Sequence, residues 1–157
     1  MSDVVDQTCA RAVILSPGRT VLLMEVPGSE GSLWVTPGGR LEADESREAA
    51  LARELHEELG LERVMADAEV WVRTAPLRLG AREILEREHF FLIRRDEFEP
   101  RPTSPADRAA RHLVRFRWWP IAEIPPRDAR FAPARLGELL RRLLEEGPPP
   151  APIDTGP

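Results

Sequence analysis

The stretch that decides the fold spans residues 39–61 and reads GRLEADESREAALARELHEELGL. Residues 47–59 within it are mostly good helix formers, and Asp44 and Ser46 stand just before them as candidate N-caps. Gly60 follows at the position where a helix commonly ends in a left-handed C-terminal cap. The sequence therefore predicts a helix over residues 47–59 that is bounded on both sides by capping residues.

Three glutamates lie on one side of this predicted helix. At about 100° per residue, Glu54, Glu57 and Glu58 fall within an arc of about 100°, and a stripe of three leucines adjoins them. Like charges so close together destabilise a helix. A hard divalent cation resolves the conflict, because Mg²⁺ prefers carboxylate oxygens and bridges to substrate phosphates.

Charge and composition narrow the classes of function. The 157-residue chain has a net charge of −5 and a pI near 5.3, whereas proteins that coat nucleic acid or anionic membranes need a dominant basic surface. The single cysteine, Cys9, lies in an apolar run and is expected to be a buried thiol. There is no export signal and no run of about 18 apolar residues. We expect a soluble, cytoplasmic protein.

The spacing of residues in the stretch is similar to a known motif. With x for any residue and U for an aliphatic one, it matches the Nudix box G-x5-E-x7-R-E-U-x-E-E-x-G-U at every defined position. On this motif the chain resembles the MutT-like Nudix hydrolases. The resemblance implies an α/β fold, the Nudix α/β/α sandwich, in which helices flank a mixed β-sheet. It also implies a hydrolase of phosphoanhydrides that uses Mg²⁺, or Mn²⁺ in its place.

The resemblance assigns roles to particular residues. Glu57 and Glu58 are implied metal ligands, and Glu54 is either a further ligand or the base that positions water. A backbone carbonyl at Gly38 or Gly39 is an implied additional ligand, since glycine lets the backbone approach an ion closely. Together these groups form the expected metal site.

Further residues are expected to support this site. Arg53 and Glu45 resemble a supporting pair, in which an arginine fork holds a carboxylate and aims the neighbouring glutamates. Many Nudix hydrolases take another acid from outside the motif, and Glu83, Glu86 and Glu88 are the candidates here. The alternative for these three acids is a place at the solvent-facing end of a strand.

The rest of the chain completes one predicted domain over residues 1–147. Alternating or β-rich runs predict strands, and leucines at i, i+3, i+4 spacing predict a C-terminal helix. The predicted strands are 9–15, 21–26, 33–35, 68–74, 84–93 and 112–119, and the helix is 133–146. Residues 97–107 contain three prolines and predict a long loop. Residues 148–157 are rich in proline and predict a disordered tail.

Aromatic and arginine side chains outside the motif have two interpretations. Trp34, just before the motif, is a candidate for stacking on a base, although most aromatic residues in such runs belong to a core. Four arginines are candidates for contact with terminal phosphates, and a role in surface solubility is the interpretation that we favour for most of them. These are Arg73, Arg78, Arg82 and Arg87.

The predicted function is metal-dependent hydrolysis of an ordinary or oxidised nucleoside triphosphate, or of a nucleoside diphosphate linked to another group, such as ADP-ribose. Pro76, fifteen residues beyond Leu61, resembles a proline of the ADP-ribose-cleaving enzymes. The alternative is a catalytically silent Nudix-fold module that binds and senses a nucleotide, but such relatives usually have degraded motifs. The expected partner is a small nucleotide, with neither nucleic acid nor membrane. The resemblance also allows a homodimer.

Overall fold

The computed structural model describes residues 4–28, 30–110 and 114–157. Within these ranges the chain forms nine strands, three α-helices and one short 3₁₀ helix. Their bounds, in chain order, are β1 Val5–Leu15, β2 Thr20–Gly28, β3 Gly31–Val35, β4 Gly38–Arg40, α1 Arg47–Leu59, β5 Ala68–Leu79, β6 Arg82–Arg94, α2 Pro105–Ala110, β7 Arg115–Pro120, the 3₁₀ helix Ile121–Glu123, β8 Phe131–Ala132, α3 Leu136–Glu146 and β9 Ile153–Asp154. None of these helices is both long and apolar enough to span a bilayer.

All nine strands of the described ranges belong to one mixed sheet. Its order is β8-β3-β2-β1-β6-β5-β9, with β4 paired to β1 and β7 paired to β2. β1 and β6 run parallel, from Val5 opposite Ile84 to Leu15 opposite Arg94, whereas β5 and β6 form an antiparallel hairpin. β1 and β2 pair beside their turn, at Leu15 and Val21. The two strands then diverge, and the sheet curls between them.

Helix α1 covers one face of the sheet. Its apolar stripe, which includes Leu51 and Leu55, packs with Ala12 and Ile14 of β1 and with Phe91 of β6. Residues 12 and 14 are two apart on a strand and therefore share a face. Leu51 and Leu55 are 2% and 0% exposed. This packing turns the apolar side of α1 toward the sheet and leaves the glutamate side next to β4.

Helix α3 belongs to the core on the opposite face. Leu136, Leu140 and Leu143 are buried and share a cluster with Val13 of β1 and Phe90 of β6. Burial of each leucine side chain stabilises the fold by roughly 1.5–3 kcal/mol. With one helix on each face of a mixed sheet, the predicted α/β/α sandwich is confirmed.

The predicted helix is confirmed with both of its limits. Ser46 is the N-cap, since its Oγ accepts a hydrogen bond from the backbone N–H of Ala49 at 3.1 Å. Asp44, the other candidate, lies outside the helix with a φ of 60°. Gly60 ends the helix with a φ of 73°, and a Cβ there would lie 2.5 Å from the carbonyl oxygen of Arg101. Both conformation and space therefore require glycine at this position.

Short elements and element ends differ most from the predictions. β5 and β6 extend beyond the predicted strands into a long hairpin. Residues 105–110 form α2, although part of this segment is predicted as a loop. β7 spans residues 115–120, and residues 112 and 113 of the strand predicted there lie outside the described residues. These elements depend on partners that are distant in sequence, so local patterns do not define them.

The C-terminal segment forms structure, and the prediction of disorder for residues 148–157 is wrong. Ile153–Asp154 form β9, which pairs in parallel with Trp71 and Val72 of β5. The N–H of Thr155 donates to the carbonyl of Val72 at 3.0 Å, and Thr155 is 6% exposed. The edge of β5 supplies the hydrogen-bond partners that order this segment. The prediction failed because the amino-acid composition of a segment does not show which distant strand it pairs with.

Candidate active site

Strand β4 places two glycines against β1 and helix α1. Gly38 has a φ of 137°, and a Cβ there would lie 2.1 Å from the carbonyl oxygen of Ala10. A Cβ at Gly39 would lie 2.5 Å from the carboxyl carbon of Glu54. Neither position has room for a side chain, so the backbone of β4 lies directly beside a carboxylate of α1.

Glu58 is the most deeply buried carboxylate of α1, with 7% of the residue exposed. Its Oε1 accepts a hydrogen bond from the N–H of Gly38 at 3.2 Å, whereas its buried Oε2 has no hydrogen-bond partner in the described part of the chain. Burial, and then the neighbouring carboxylate of Glu54, raise the pKa of Glu58 well above its ordinary value. A buried acceptor without a donor costs about 1–3 kcal/mol. The site therefore contains an oxygen that lacks a positive partner.

Arg53 orders the outer carboxylates of the helix. Its Nε and Nη2 donate to the two oxygens of Glu45 at 2.9 and 2.8 Å, and its Nη1 donates to Glu54 at 2.9 Å. Nη2 also donates to the carbonyl of Arg40, which ties the fork to β4. The hydrogen bonds from Arg53 lower the pKa of Glu45 to about 2. The contact between Arg53 and Glu45 has the geometry of a supporting pair, and its part in catalysis stays a prediction.

The three box glutamates do not form a closed metal cage. Within the described ranges, no three acidic, histidine or cysteine side chains converge in an arrangement that could hold a metal ion. Arg53 binds Glu54 and lies 3.5 Å from Glu57, while Glu58 is bonded to Gly38. Their mutual repulsion is thus relieved by a guanidinium and a backbone N–H. The donor set nonetheless fits a small, hard cation, because an unpartnered carboxylate oxygen lies beside a second carboxylate.

A loop closes the C-terminal end of α1. The N–H of Arg101 donates to the carbonyl of Leu59 at 3.0 Å, and the N–H of Thr103 donates to the carbonyl of Glu57 at 2.8 Å. Carbonyls at a helix end have no partner within the helix, so the loop supplies donors that the last turn lacks. These bonds fix the backbone that carries the box glutamates.

Asp107 is a residue near the site that the sequence analysis missed. It lies in α2, where its backbone N–H donates to Oγ of Ser104 at 3.1 Å. After burial and Glu54, the carboxylate of Asp107 also raises the pKa of Glu58, so its charge acts on the buried glutamate. The available signal was the predicted long loop at 97–107, because long ordered loops in compact domains are often functional.

A family model supports the interpretation of this site. The NUDIX domain matches residues 6–143, which include every box residue. This chain belongs to the Nudix family. A curated relative, the CTP pyrophosphohydrolase of Escherichia coli (strain K12), is 40% identical over 58 residues, which cover 36% of this Nudix chain and 43% of the relative. That match therefore spans less than half of either protein.

Solved structures share the Nudix fold over most of the chain. The solution structure of the E. coli ORF135 protein has a TM-score of 0.61 at 25% identity, and the match covers 90% of this chain and 91% of that one. The crystal structure of a MutT protein from Bacillus halodurans has a TM-score of 0.63 at 21% identity, with 90% and 84% covered. The second likeness shows the fold alone.

The three acids outside the Nudix box have different surroundings. Glu83 has a side chain that is 54% exposed and lies 3.9 Å from Arg78, so it is a solvent-facing residue at the end of the hairpin. Glu86 and Glu88 both lie close to Arg11 of β1, and Glu88 is 6% exposed. Arg11 was not among the predicted site residues. The available signal was the one charged residue in the apolar run of residues 9–15.

Other side chains singled out in the sequence lie in the core or at the surface. Trp34 is 8% exposed and packs edge-on against Trp119 with ring centroids 5.2 Å apart, so it belongs to the core and its candidate role in base stacking is wrong. Three of the four candidate arginines are exposed, and the fourth, Arg73, is partly buried beside Glu88. Cys9 is buried as expected, and burial raises the pKa of its thiol to about 11.

Proposed function

We propose that this chain is a Mg²⁺- or Mn²⁺-dependent hydrolase that cleaves a phosphoanhydride bond of a small nucleotide. The observation that carries the proposal is the buried Oε2 of Glu58, which has no partner in the described residues and lies beside Glu54 in an intact Nudix box. A buried carboxylate is costly unless it is paired or binds a metal. Nudix hydrolases generally use divalent metals such as Mg²⁺ and act on small nucleotides, which agrees with this donor set.

Four groups are proposed to hold the ion: the carboxylates of Glu54, Glu57 and Glu58 and the backbone carbonyl of Gly39. The three carboxylates supply hard oxygen donors from one helix. We choose Gly39 for the backbone ligand because the carbonyl of Gly38 already accepts a hydrogen bond from Arg11 at 3.1 Å. When bound, Mg²⁺ neutralises phosphate charge and makes phosphorus more susceptible to attack by water.

Arg53 and Glu45 would keep the ligands in place during the reaction. The guanidinium holds Glu54 and is itself fixed by both oxygens of Glu45. The side chain of Glu57 is 36% exposed and that of Glu54 is 18% exposed, so water reaches both. An accessible carboxylate can accept the proton of the attacking water. Glu54 and Glu57 are therefore the two candidate bases, and no covalent bond between enzyme and substrate is needed.

A nucleoside triphosphate is the first substrate class that we propose. The local similarity to a CTP pyrophosphohydrolase supports this class. The similarity extends over only 58 residues and does not show which nucleobase the substrate carries. CTP is therefore tested beside the other triphosphates, 8-oxo-dGTP, ADP-ribose and diadenosine polyphosphates.

The test is product release from this panel with Mg²⁺ or Mn²⁺. Glu57→Gln removes one proposed ligand charge, and Glu145→Gln makes the same change at an exposed position of α3 as a matched control. We expect the wild type and the control to cleave at least one nucleotide. We expect Glu57→Gln, and the wild type in EDTA, to lose this turnover. Equal turnover by Glu57→Gln, or turnover that survives EDTA, would contradict the proposal.

The second candidate function is nucleotide binding without turnover. Titration calorimetry on the same panel distinguishes it from catalysis. A nucleotide that binds in the presence of Mg²⁺ without product release would favour the sensing module. The intact box argues against this outcome, because a binding module does not need every residue of a catalytic motif.

A further inference from the structure

Arg11 of β1 lies among three oxygen atoms. Its Nη1 donates to the carbonyl of Gly38 at 3.1 Å, and its Nε donates to Oε2 of Glu88 at 2.8 Å. Its Nη2 lies 3.6 Å from Oε1 of Glu86, and 18% of the Arg11 side chain is exposed. Three oxygens, two of them anionic, therefore surround one guanidinium in a largely buried place.

The register of the strands explains this arrangement. β1 and β6 run parallel, with Cys9 opposite Glu88 and Arg11 opposite Phe90. Residues two apart on a strand project to the same face, so Arg11 and Glu88 share one face of the sheet. β4 pairs with β1 on its other edge, with Gly38 opposite Arg11. Arg11 therefore lies between the acids of β6 and the carbonyl of Gly38.

The carboxylates around Arg11 have all of their oxygens in contact with donors. Oε1 of Glu88 contacts Arg73, and Oε2 of Glu86 accepts a hydrogen bond from Gln7 at 2.8 Å. The other two oxygens face Arg11. The glutamates of α1, by contrast, keep one buried oxygen that is unpartnered in the described ranges. On α1, Arg53 bonds Glu54, but no described group donates to that oxygen of Glu58.

Gly38 connects the two clusters. Its N–H donates to Glu58 at 3.2 Å, and its carbonyl accepts from Arg11. One residue of β4 therefore lies between the guanidinium of Arg11 and the buried carboxylate of α1.

We propose that Arg11 is a built-in cation that fills a second metal cage and thereby confines metal binding to α1. The oxygens that it contacts, from Glu86, Glu88 and Gly38, are hard donors of the kind that Mg²⁺ and Mn²⁺ prefer. While the guanidinium occupies the space between them, these oxygens are not available to a metal ion. Arg11 is thus a positioning residue that limits the number of ions at the site. This inference rests on the proposed metal site of α1.

The test replaces Arg11 with a neutral side chain of similar volume. In Arg11→Met the cluster keeps two carboxylates and one guanidinium, that of Arg73, so it carries an uncompensated negative charge. We expect this variant to bind one more Mn²⁺ ion per chain than the wild type, counted by electron paramagnetic resonance of free Mn²⁺ during titration. Adding Glu88→Gln should restore the wild-type number, because the cage then loses a charged ligand.

A matched control removes an arginine that has no such surroundings. Arg78 lies on the neighbouring strand β5, where its side chain is 77% exposed and 3.9 Å from Glu83. Arg78→Met removes the same charge and should bind the wild-type number of ions. An extra ion in this control as well would show that total charge, and not the cage, decides the count, and it would overturn the proposal.

Circular dichroism accompanies the titration, because we expect the loss of Arg11 to destabilise the metal-free fold. If Arg11→Met is unfolded in EDTA, Mn²⁺ is expected to restore the wild-type spectrum by filling the cage. A folded variant with the wild-type number of ions would overturn the proposal. An unfolded variant that Mn²⁺ does not restore would overturn it too.

Glu58→Gln separates this inference from the proposed function. If Glu58→Gln binds Mn²⁺ more weakly and Arg11→Met gains no ion, the proposed function stands and the inference about Arg11 fails. If Glu58→Gln binds Mn²⁺ as the wild type does, the metal lies elsewhere and the proposed function fails. A gain in Arg11→Met would then show that Arg11 fills a cage, but the claim that it confines metal to α1 would fail.

Discussion

Helix α1 holds the glutamate pair Glu54 and Glu58, and strand β6 holds the pair Glu86 and Glu88. Each pair is linked to Gly38, directly through Glu58 or by way of Arg11, and the two pairs have different surroundings. On β6, every carboxylate oxygen of Glu86 and Glu88 lies near a donor from an arginine or a glutamine. On α1, Glu58 lies beside Glu54 and has a buried oxygen with no hydrogen-bond partner among the described residues. Arg53 bonds Glu54, but no described group donates to Oε2 of Glu58. That single oxygen is therefore the position suited to a cation.

The two pairs should therefore respond differently to the loss of a charge. Removing one member of a buried ion pair leaves the other member uncompensated and costs about 3–5 kcal/mol. Among the described residues, Glu58 has no ion-pair partner and one oxygen without a donor, so removing its charge relieves part of the cost of its burial instead. We expect changes on α1 to reduce catalysis and changes on β6 to reduce stability.

The largest effect is expected from Glu58→Gln. Residues that merely support metal ligands are worth about 10–100-fold in activity, so loss of a ligand charge should lower kcat/KM by more than about 100-fold. The melting temperature in EDTA should stay the same or rise, because the repulsion between Glu58 and Glu54 is gone. Steady-state kinetics and thermal melting measure the two effects. Full activity, or a clear loss of stability, would remove the distinction between α1 and β6.

Glu88→Gln should have the opposite pattern. The change leaves Arg11 and Arg73 without a shared anion, so we expect the free energy of unfolding in urea to fall by about 2 kcal/mol. The loss is smaller than that of a fully broken buried pair, because the glutamine oxygen still accepts from one arginine. Glu83→Gln is the control, since the side chain of Glu83 is 54% exposed. Equal stability of both variants and the wild type would show that the β6 pair has no structural role.

Arg53→Lys should reduce turnover without removing a charge. Lysine cannot hold both oxygens of Glu45 in a planar fork and bind Glu54 at the same time. We expect kcat to fall about tenfold with little change in KM, because the ligands lose their support and the substrate contacts remain. The control is Arg142→Lys on α3, where the arginine is exposed and pairs with Glu146. An equal fall in both variants would contradict a special role for Arg53.

The smallest expected effect is on how the free energy of unfolding depends on pH under acidic conditions. Arg53 lowers the pKa of Glu45 from 4.5 to about 2. A folded-state pKa below the unfolded one adds stability that is fully present above the unfolded value and is lost as the pH falls through the folded value. Between pH 4.5 and about 2, the unfolding free energy of Glu45→Gln should therefore depend less on pH than that of the wild type. Urea unfolding at several pH values measures this slope, and equal slopes would contradict it.

Helix α1 could be predicted to the residue because its determinants are local. Ser46 and Gly60 mark its ends within a few residues of chain, and helical periodicity alone places the glutamates together. The Nudix box also places these glutamates, because it is a fixed spacing within one continuous stretch of sequence. The predicted roles of these residues came from family resemblance, and the structure adds the neighbour of each carboxylate.

The β6 cluster could not be predicted, because it depends on strand register. Arg11 meets Glu88 across 77 residues of chain, and a shift of one residue would turn its side chain to the other face. The pairing of β9 with β5 depends on a distant partner in the same way. Local composition therefore shows neither which glutamates of β6 face Arg11 nor that the C-terminal segment is ordered.

The most direct test is anomalous diffraction from crystals grown with Mn²⁺, since it places the ion relative to both acidic pairs. We predict a peak beside Glu54 and Oε2 of Glu58, and none between Glu86 and Glu88, where Arg11 should remain. A peak between Glu86 and Glu88 with Arg11 displaced, and none beside Glu58, would contradict the central claim that the unpartnered oxygen marks the metal site.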